Sequence, residues 1–192
     1  WKAEEARESG RFLDALKFTD EATIIYLEDG DLLGLAEVQS SRQSTFKHLY
    51  RQNGNEIFLI LEKHTAESAV EIAEKSGIKE ALAIPYHNLG KYYAEAGNNR
   101  KAAEFFKKAV QNMKDNPPEN HNRPAVIADI EGHQFAEEYL AGDKSALKRA
   151  EQALKDLVES NEKQISRYTY DAWVSGAHLR IAEMLRTDNP EK

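Results

Sequence analysis

At 192 residues, 41% hydrophobic and 31% charged, with a net charge of −7, the chain is long enough for one domain with a real core or for a short array of repeats that share one. The absence of cysteine excludes disulfides, thiolate metal sites and cysteine nucleophiles. Apolar runs of only a few residues fall far short of the ~20 that a membrane helix needs, and no Lys/Arg-rich run offers a grip on phosphate backbones, so neither a membrane nor nucleic acid is the expected partner.

The chain opens on Trp1 with no charged-then-apolar leader, so any targeting segment is expected outside it and the expected location is cytoplasmic. From there the helical period runs almost throughout. Phe12, Ala15, Leu16, Thr19, Ala22, Ile25 and Tyr26 recur at three- and four-residue steps, and no segment alternates like a strand. The pattern predicts an all-α chain of about nine helices over 1–9, 11–28, 32–52, 56–75, 79–96, 99–114, 124–141, 144–160 and 164–186. Pro85 should kink the fifth of these or delay its start. The polar stretch KDNPPENHNRP, with Pro117, Pro118 and Pro124, separates the sixth from the seventh, and Pro190 lies in the tail.

Self-similarity organises these helices. Glycine turns recur as ESG-RFLDAL, QNG-NEIFLI, EAG-NNRKAA and LAG-DKSALK, and Gly10, Gly54, Gly97 and Gly142 stand 44, 43 and 45 residues apart. Two helices fall in each interval, which describes stacked antiparallel helical hairpins, each burying a face against the next. The units run approximately over 1–29, 30–76, 77–116 and 122–160, with a terminal helix at 164–186, within a single repeat domain.

The stretch YHNLGKYYAEAGNNRKAAEFFKKAV resembles the tetratricopeptide repeat. With Ala83 as first position, the family pattern falls on Tyr86, Leu89, Gly90, Tyr93, Ala102, Phe106 and Ala109, with Gly97 at the turn. Small Gly90 and Ala102 would let two helices approach, while Tyr93 and Phe106 fill the space between hairpins. The second hairpin carries Phe46, Tyr50, Gly54 and Ala66, but has Lys47 and Leu59 where the family prefers small residues. The first shows Gly10, Ala15 and Ala22, and the fourth Gly132, Phe135, Ala146, Ala150 and Ala153 with a shifted turn. The likeness covers roughly residues 1–160 and implies a right-handed superhelix, an α-solenoid of the long-repeat type, whose job is to bind protein rather than to catalyse.

Chemistry-bearing motifs point the same way. No nucleophile elbow, phosphate loop or dinucleotide fingerprint occurs, and LEDGDLLG lacks the alternating oxygen ligands and closing Glu of a calcium loop. His48, His87, His133 and His178 fall one per hairpin on first helices; units roughly a helix diameter apart, ~10 Å, make a row rather than a cluster. His133 and Glu137 are one turn apart, His64 and His121 stand elsewhere, and the acid pairs Glu4 and Glu5, Glu137 and Glu138 are expected to face water. No enzyme, metal or cofactor is therefore expected.

The resemblance implies a concave ligand groove drawn from the first helix of each hairpin. In the second hairpin the exposed positions would be Ser41, Ser44, Thr45, His48, Arg51 and Gln52, a set without an apolar residue. In the third they would be Ile84, His87, Asn88, Lys91, Ala94 and Glu95, and in the fourth Asp129 and His133. Asn88 is the sharpest candidate, since a carboxamide both donates to and accepts from an extended backbone. It matches the central Asn of the family's clamp for terminal carboxylates, but Ser44 and His48 replace the preceding Lys and Asn, so that clamp is not supported. Arg51 and Lys91 add positive charge that suits a peptide with an acidic or free-carboxylate feature.

The last helix, QISRYTYDAWVSGAHLRIAEMLR, is apolar on two faces. Tyr170, Trp173, Val174, Ala177, Ile181, Met184 and Leu185 form one, and Ile165, Tyr168, Ala172, Leu179 and Ala182 the other. Since leaving a Trp-sized side chain wet forgoes ~2 kcal/mol or more, Tyr170, Trp173, Ile181 and Leu185 are expected to meet a homodimer partner or a continuation of the parent protein. The alternative is that this helix lies deep against the fourth hairpin. The reading is thus a scaffold that docks a peptide segment, with the peptide-sensing domain of a bacterial regulator or a structural homo-oligomer as alternatives.

Overall fold

The computed structural model describes residues 2–116, 123–160 and 166–188, and within them the chain is all-helical, without a strand. Pro117, Pro118, His121, Ile165 and Pro190 lie outside the described residues. Nine α-helices are described: α1 (Lys2–Glu8), α2 (Phe12–Asp29), α3 (Leu32–Asn53), α4 (Glu56–Ser76), α5 (Ala83–Glu95), α6 (Asn99–Asp115), α7 (Arg123–Leu140), α8 (Ala146–Glu159) and α9 (Arg167–Asp188).

The helix ends follow from short-range chemistry. Gly10, Gly54, Gly97 and Gly142 have φ of 72°, 67°, 72° and 114°, a region that Cβ-bearing residues avoid, so the regular glycine spacing marks turns that need glycine. Asp31 Oδ1 accepts the Gly34 N–H at 2.9 Å to start α3, and Asn55 Oδ1 accepts the Ile57 N–H at 3.0 Å to start α4. Asn98 does the same for α6 through the Lys101 N–H at 3.2 Å. The single helix expected over 79–96 is instead a 3₁₀ turn, Lys79–Leu82, followed by α5 from Ala83. Pro85 is the third residue of α5, in the first turn, where a missing N–H costs no intrahelical bond.

The chain divides into two compact units, 1–92 and 93–192. In the first, α1 packs on α2, α2 on α3 and α3 on α4. Its core is built largely from alanine, with Ala3, Ala6, Ala15, Ala36, Ala66, Ala69 and Ala73 buried, which lets helix axes approach closely. The tightest approach is at Gly34, where a Cβ would fall 2.4 Å from the Tyr26 ring. Phe46 and Phe58 stack at 6.5 Å between α3 and α4, at the level where Lys47 and Leu59, both half-buried, replace small residues.

In the second unit α6 packs on α7, α7 on α8, and α9 against both α7 and α8. Larger side chains fill it: Phe106, Met113, Ile130, Tyr139, Leu157 and Met184 are completely buried. One cluster joins Ala136, Tyr139, Ala146, Ala150 and Met184 with Phe135, Leu147 and Ile181 at its edge; another joins Ala125, Ala128, Leu157 and Ala177 with Leu154, Trp173 and Val174. No described helix is long and apolar enough to cross a membrane.

Candidate functional site

On α3 of the first unit, the polar residues expected to share one surface separate by depth. Thr45 is fully buried and its hydroxyl donates to the Ser41 carbonyl at 3.2 Å; half-buried Ser44 donates to the Ser40 carbonyl at 3.2 Å. Thr45 therefore leaves the expected site: its side chain faces the packed side of the helix, and both hydroxyls are satisfied by their own backbone. Ser41 is taken by Arg7 of α1, which reaches its carbonyl and hydroxyl at 3.4 Å.

His48, Arg51 and Gln52 remain exposed along the C-terminal half of α3. Phe12 stands with its ring centroid 6.0 Å from that of His48. Partial desolvation lowers the His48 pKa, with Arg7, Arg51 and Lys47 acting the same way and Glu8 against them. Arg7 is itself ion-paired with Glu8 at 3.3 Å and Glu4 at 3.9 Å.

The adjoining surface comes from α5. Gln43, fully buried, donates through Nε2 to Glu62 Oε1 of α4 at 3.0 Å and to the Asn88 main-chain carbonyl at 3.3 Å, which ties α3, α4 and α5 together at one level. His87, Asn88 and Lys91 are half-buried there, while Ile84 is exposed. The Asn88 carbonyl is engaged, but its side-chain carboxamide makes no hydrogen bond among the described residues. A positioned, half-buried amide with open valences can take one donor and one acceptor from a peptide backbone.

In the second unit Glu95 is half-buried at the end of α5, and Asp129 and His133 stand one turn apart on α7. The latter two are held by Arg180 of α9: its guanidinium donates to Asp129 Oδ1 at 2.8 Å and to His133 Nε2 at 2.9 Å. Since a guanidinium only donates, Nε2 of His133 is the acceptor, which puts the ring proton on Nδ1. Phe106 stacks on the His133 ring at 5.2 Å. A Cβ at Gly132 of α7 or Gly176 of α9 would lie 3.3 or 3.4 Å from the guanidinium, so one glycine on each helix makes room for it.

Asp129 and His133, expected on a groove, thus hold the terminal helix instead. The sequence signal for this was an arginine in the middle of the apolar pattern of α9, with Gly176 one turn before it. Tyr170, Trp173 and Ile181, expected at a contact between copies, also pack inside this unit. Tyr170 is buried and donates its hydroxyl to the Val158 carbonyl at 3.1 Å, half-buried Trp173 packs on the cluster that holds Leu157 and Ala177, and half-buried Ile181 on the one that holds Tyr139 and Met184. Of the four, Leu185 stays exposed, as do Tyr168 and Leu179 on the other face.

Glu137 and Glu138, expected to face water, are half-buried. Burial, with Glu183 of α9 adding like charge, pushes the Glu137 carboxyl up to about 7. Glu138 is ion-paired with Arg149 at 2.7 Å and accepts from Gln134 at 2.7 Å. An open cleft of about 460 Å³ lined by Ala96, Gly97, Asn98, Asn99, Arg100, Leu140 and Ala141 contains none of the expected groove residues. No protein-family model matches the chain, and no curated protein sequence matches it.

Proposed function

We propose that this chain is a non-catalytic helical-repeat domain of tetratricopeptide type that docks a peptide segment of a partner protein on the α3 and α5 surface of its first unit. The carrying observation is Asn88, whose carbonyl is pinned by Gln43 while its carboxamide is left open at the surface. His48, Arg51, Gln52 and Lys91 complete the surface, and the basic side chains of Arg51 and Lys91 suit a peptide with acidic side chains or a free carboxylate. The regular glycine turns and the packing of successive helices support the repeat reading.

Panning a random peptide library against the wild-type domain and an Arg51→Ala, Asn88→Ala, Lys91→Ala variant tests this. Enrichment of acidic or carboxylate-ending peptides on the wild type alone is expected. Equal selection by both proteins, or no selection, removes the proposal. A second reading, a homodimer contact through the outward face of α9, is favoured by the exposure of Tyr168, Leu179 and Leu185; Leu179→Glu would then convert a dimer to a monomer in light scattering.

A further inference from the structure

The corner where α2 turns into α3 combines two features that stability does not require. Glu28 and Asp29 close the last turn of α2, which has no basic residue, although helix carbonyls already make that end partially negative. Other acids of α2 have partners: Asp14 pairs with Arg11 at 3.1 Å, Glu21 with Lys17 at 3.9 Å, and Asp20 with Arg42 of α3. Glu28 and Asp29 make no ion pair among the described residues. Asp31 follows at the α3 N-cap, and the Glu37 pKa is raised, first by burial and then by Asp31, so the negative potential extends across the corner.

Beside these charges stands a stripe of apolar side chains, several of them exposed. Leu13, Ile24 and Leu27 are 80%, 57% and 62% exposed, and Leu32, at the start of α3, is 39% exposed. Residues 13, 16, 20, 24 and 27 fall on one side of α2 by their three- and four-residue spacing, apolar except for Asp20, which Arg42 of α3 reaches, and with Leu16 half-buried. α1 occupies a second side, where the Lys2 ammonium sits 5.9 Å from the Phe18 ring, and α3 a third, where Tyr26 meets Gly34. Apart from Arg42 at Asp20, neither covers Leu13, Ile24 or Leu27, and the span from 13 to 27, roughly 20 Å, is long enough to seat about four turns of another helix.

We propose that this stripe and its acidic corner dock a basic amphipathic helix of a partner protein. The stripe takes the partner's apolar face, and Glu28, Asp29 and Asp31 take Lys or Arg on its flank, relieving the unfavourable charge at the end of α2. Charge argues against a parallel contact with a second copy of this chain, which would set Glu28 and Asp29 against their own counterparts. The surface shares no residue with the peptide site on α3 and α5, so either proposal can fail alone.

The test is fluorescence anisotropy with a labelled 18-residue Leu/Lys peptide whose leucines recur at three- and four-residue steps, beside a scrambled peptide of equal composition and a Leu/Glu peptide. Binding of the patterned peptide about tenfold tighter than the scrambled one is expected, with none of the acidic one. Ile24→Ser with Leu27→Ser should weaken it at least about fivefold, and Glu28→Lys with Asp29→Lys likewise, with far-UV circular dichroism unchanged. Equal binding of patterned and scrambled peptides, or indifference to both variants, overturns the proposal. So does a concentration-dependent dimer of the wild type that the Ile24→Ser, Leu27→Ser variant abolishes, because the stripe would then be a contact between copies.

Discussion

In the first unit α2 shows Leu13, Ile24 and Leu27 to solvent, whereas in the second α9, also apolar on two sides in sequence, buries its Tyr170, Trp173 and Ile181 side against α7 and α8. The polar anchors differ too. A neutral amide, Gln43, joins three helices in the first unit, and an arginine bridging an aspartate and a histidine fastens the last helix of the second. A second apolar stripe therefore has no fixed meaning: α9 has two neighbours to cover one of its faces, and among the described residues Leu13, Ile24 and Leu27 of α2 stay exposed. Where a charged anchor is buried, removing one partner should cost most; where apolar residues are already wet, removing them should cost least.

The sharpest break in this contrast is Arg180→Met. It leaves Asp129, almost fully buried, without its cation, and a loss of about 3 kcal/mol is expected from urea unfolding followed by Trp173 fluorescence. Adding Asp129→Asn should recover part of it, and a double variant no more stable than the single would show that the pair is not the anchor. Gly34→Ala drives a Cβ into the Tyr26 ring and should cost about 2 kcal/mol, with partial rescue by Tyr26→Leu.

Gln43→Ala removes the buried donor to Glu62 and should cost about 1–2 kcal/mol, measured by the same unfolding. Smallest of all should be Ile24→Ser with Leu27→Ser, within about 0.5 kcal/mol, since both side chains are already largely in solvent. A large loss there would mean that the stripe is covered and would remove the contrast between α2 and α9.

The pH response sharpens the same contrast in the second unit. Glu137 is raised from 4.5 to about 7, so the folded state holds its proton more tightly than the unfolded chain. Its contribution to stability is fully present below pH 4.5 and is lost as pH rises through about 7. Glu137→Gln should flatten the unfolding midpoint against pH across that window, and an unchanged profile would assign the dependence to other groups.

The helices and their ends could be read from the chain alone because they rest on neighbours in sequence. Apolar spacing of three and four set nearly every helix, and glycine followed by Asp or Asn set the turns at 30–31, 54–55 and 97–98. Pro85 was also legible, but only as two options, since a proline fits the first turn of a helix or kinks its interior and the choice depends on where the chain enters. For the candidate site the sequence offered positions and the structure their exposure. His48, Arg51 and Gln52 are exposed and Asn88 is half-buried, while Thr45 turns inward, because one position along a helix is a rotation of about 100°.

What only the tertiary structure decided are pairings between residues far apart in the chain. Arg180 and Asp129 are 51 residues apart, and Gln43 and Asn88 are 45 apart. Periodicity records which face of a helix is apolar and which residues could be offered on it. It does not record which neighbour arrives to cover that face, and so Asp129 and His133 became anchors for α9 while the carboxamide of Asn88 stayed open.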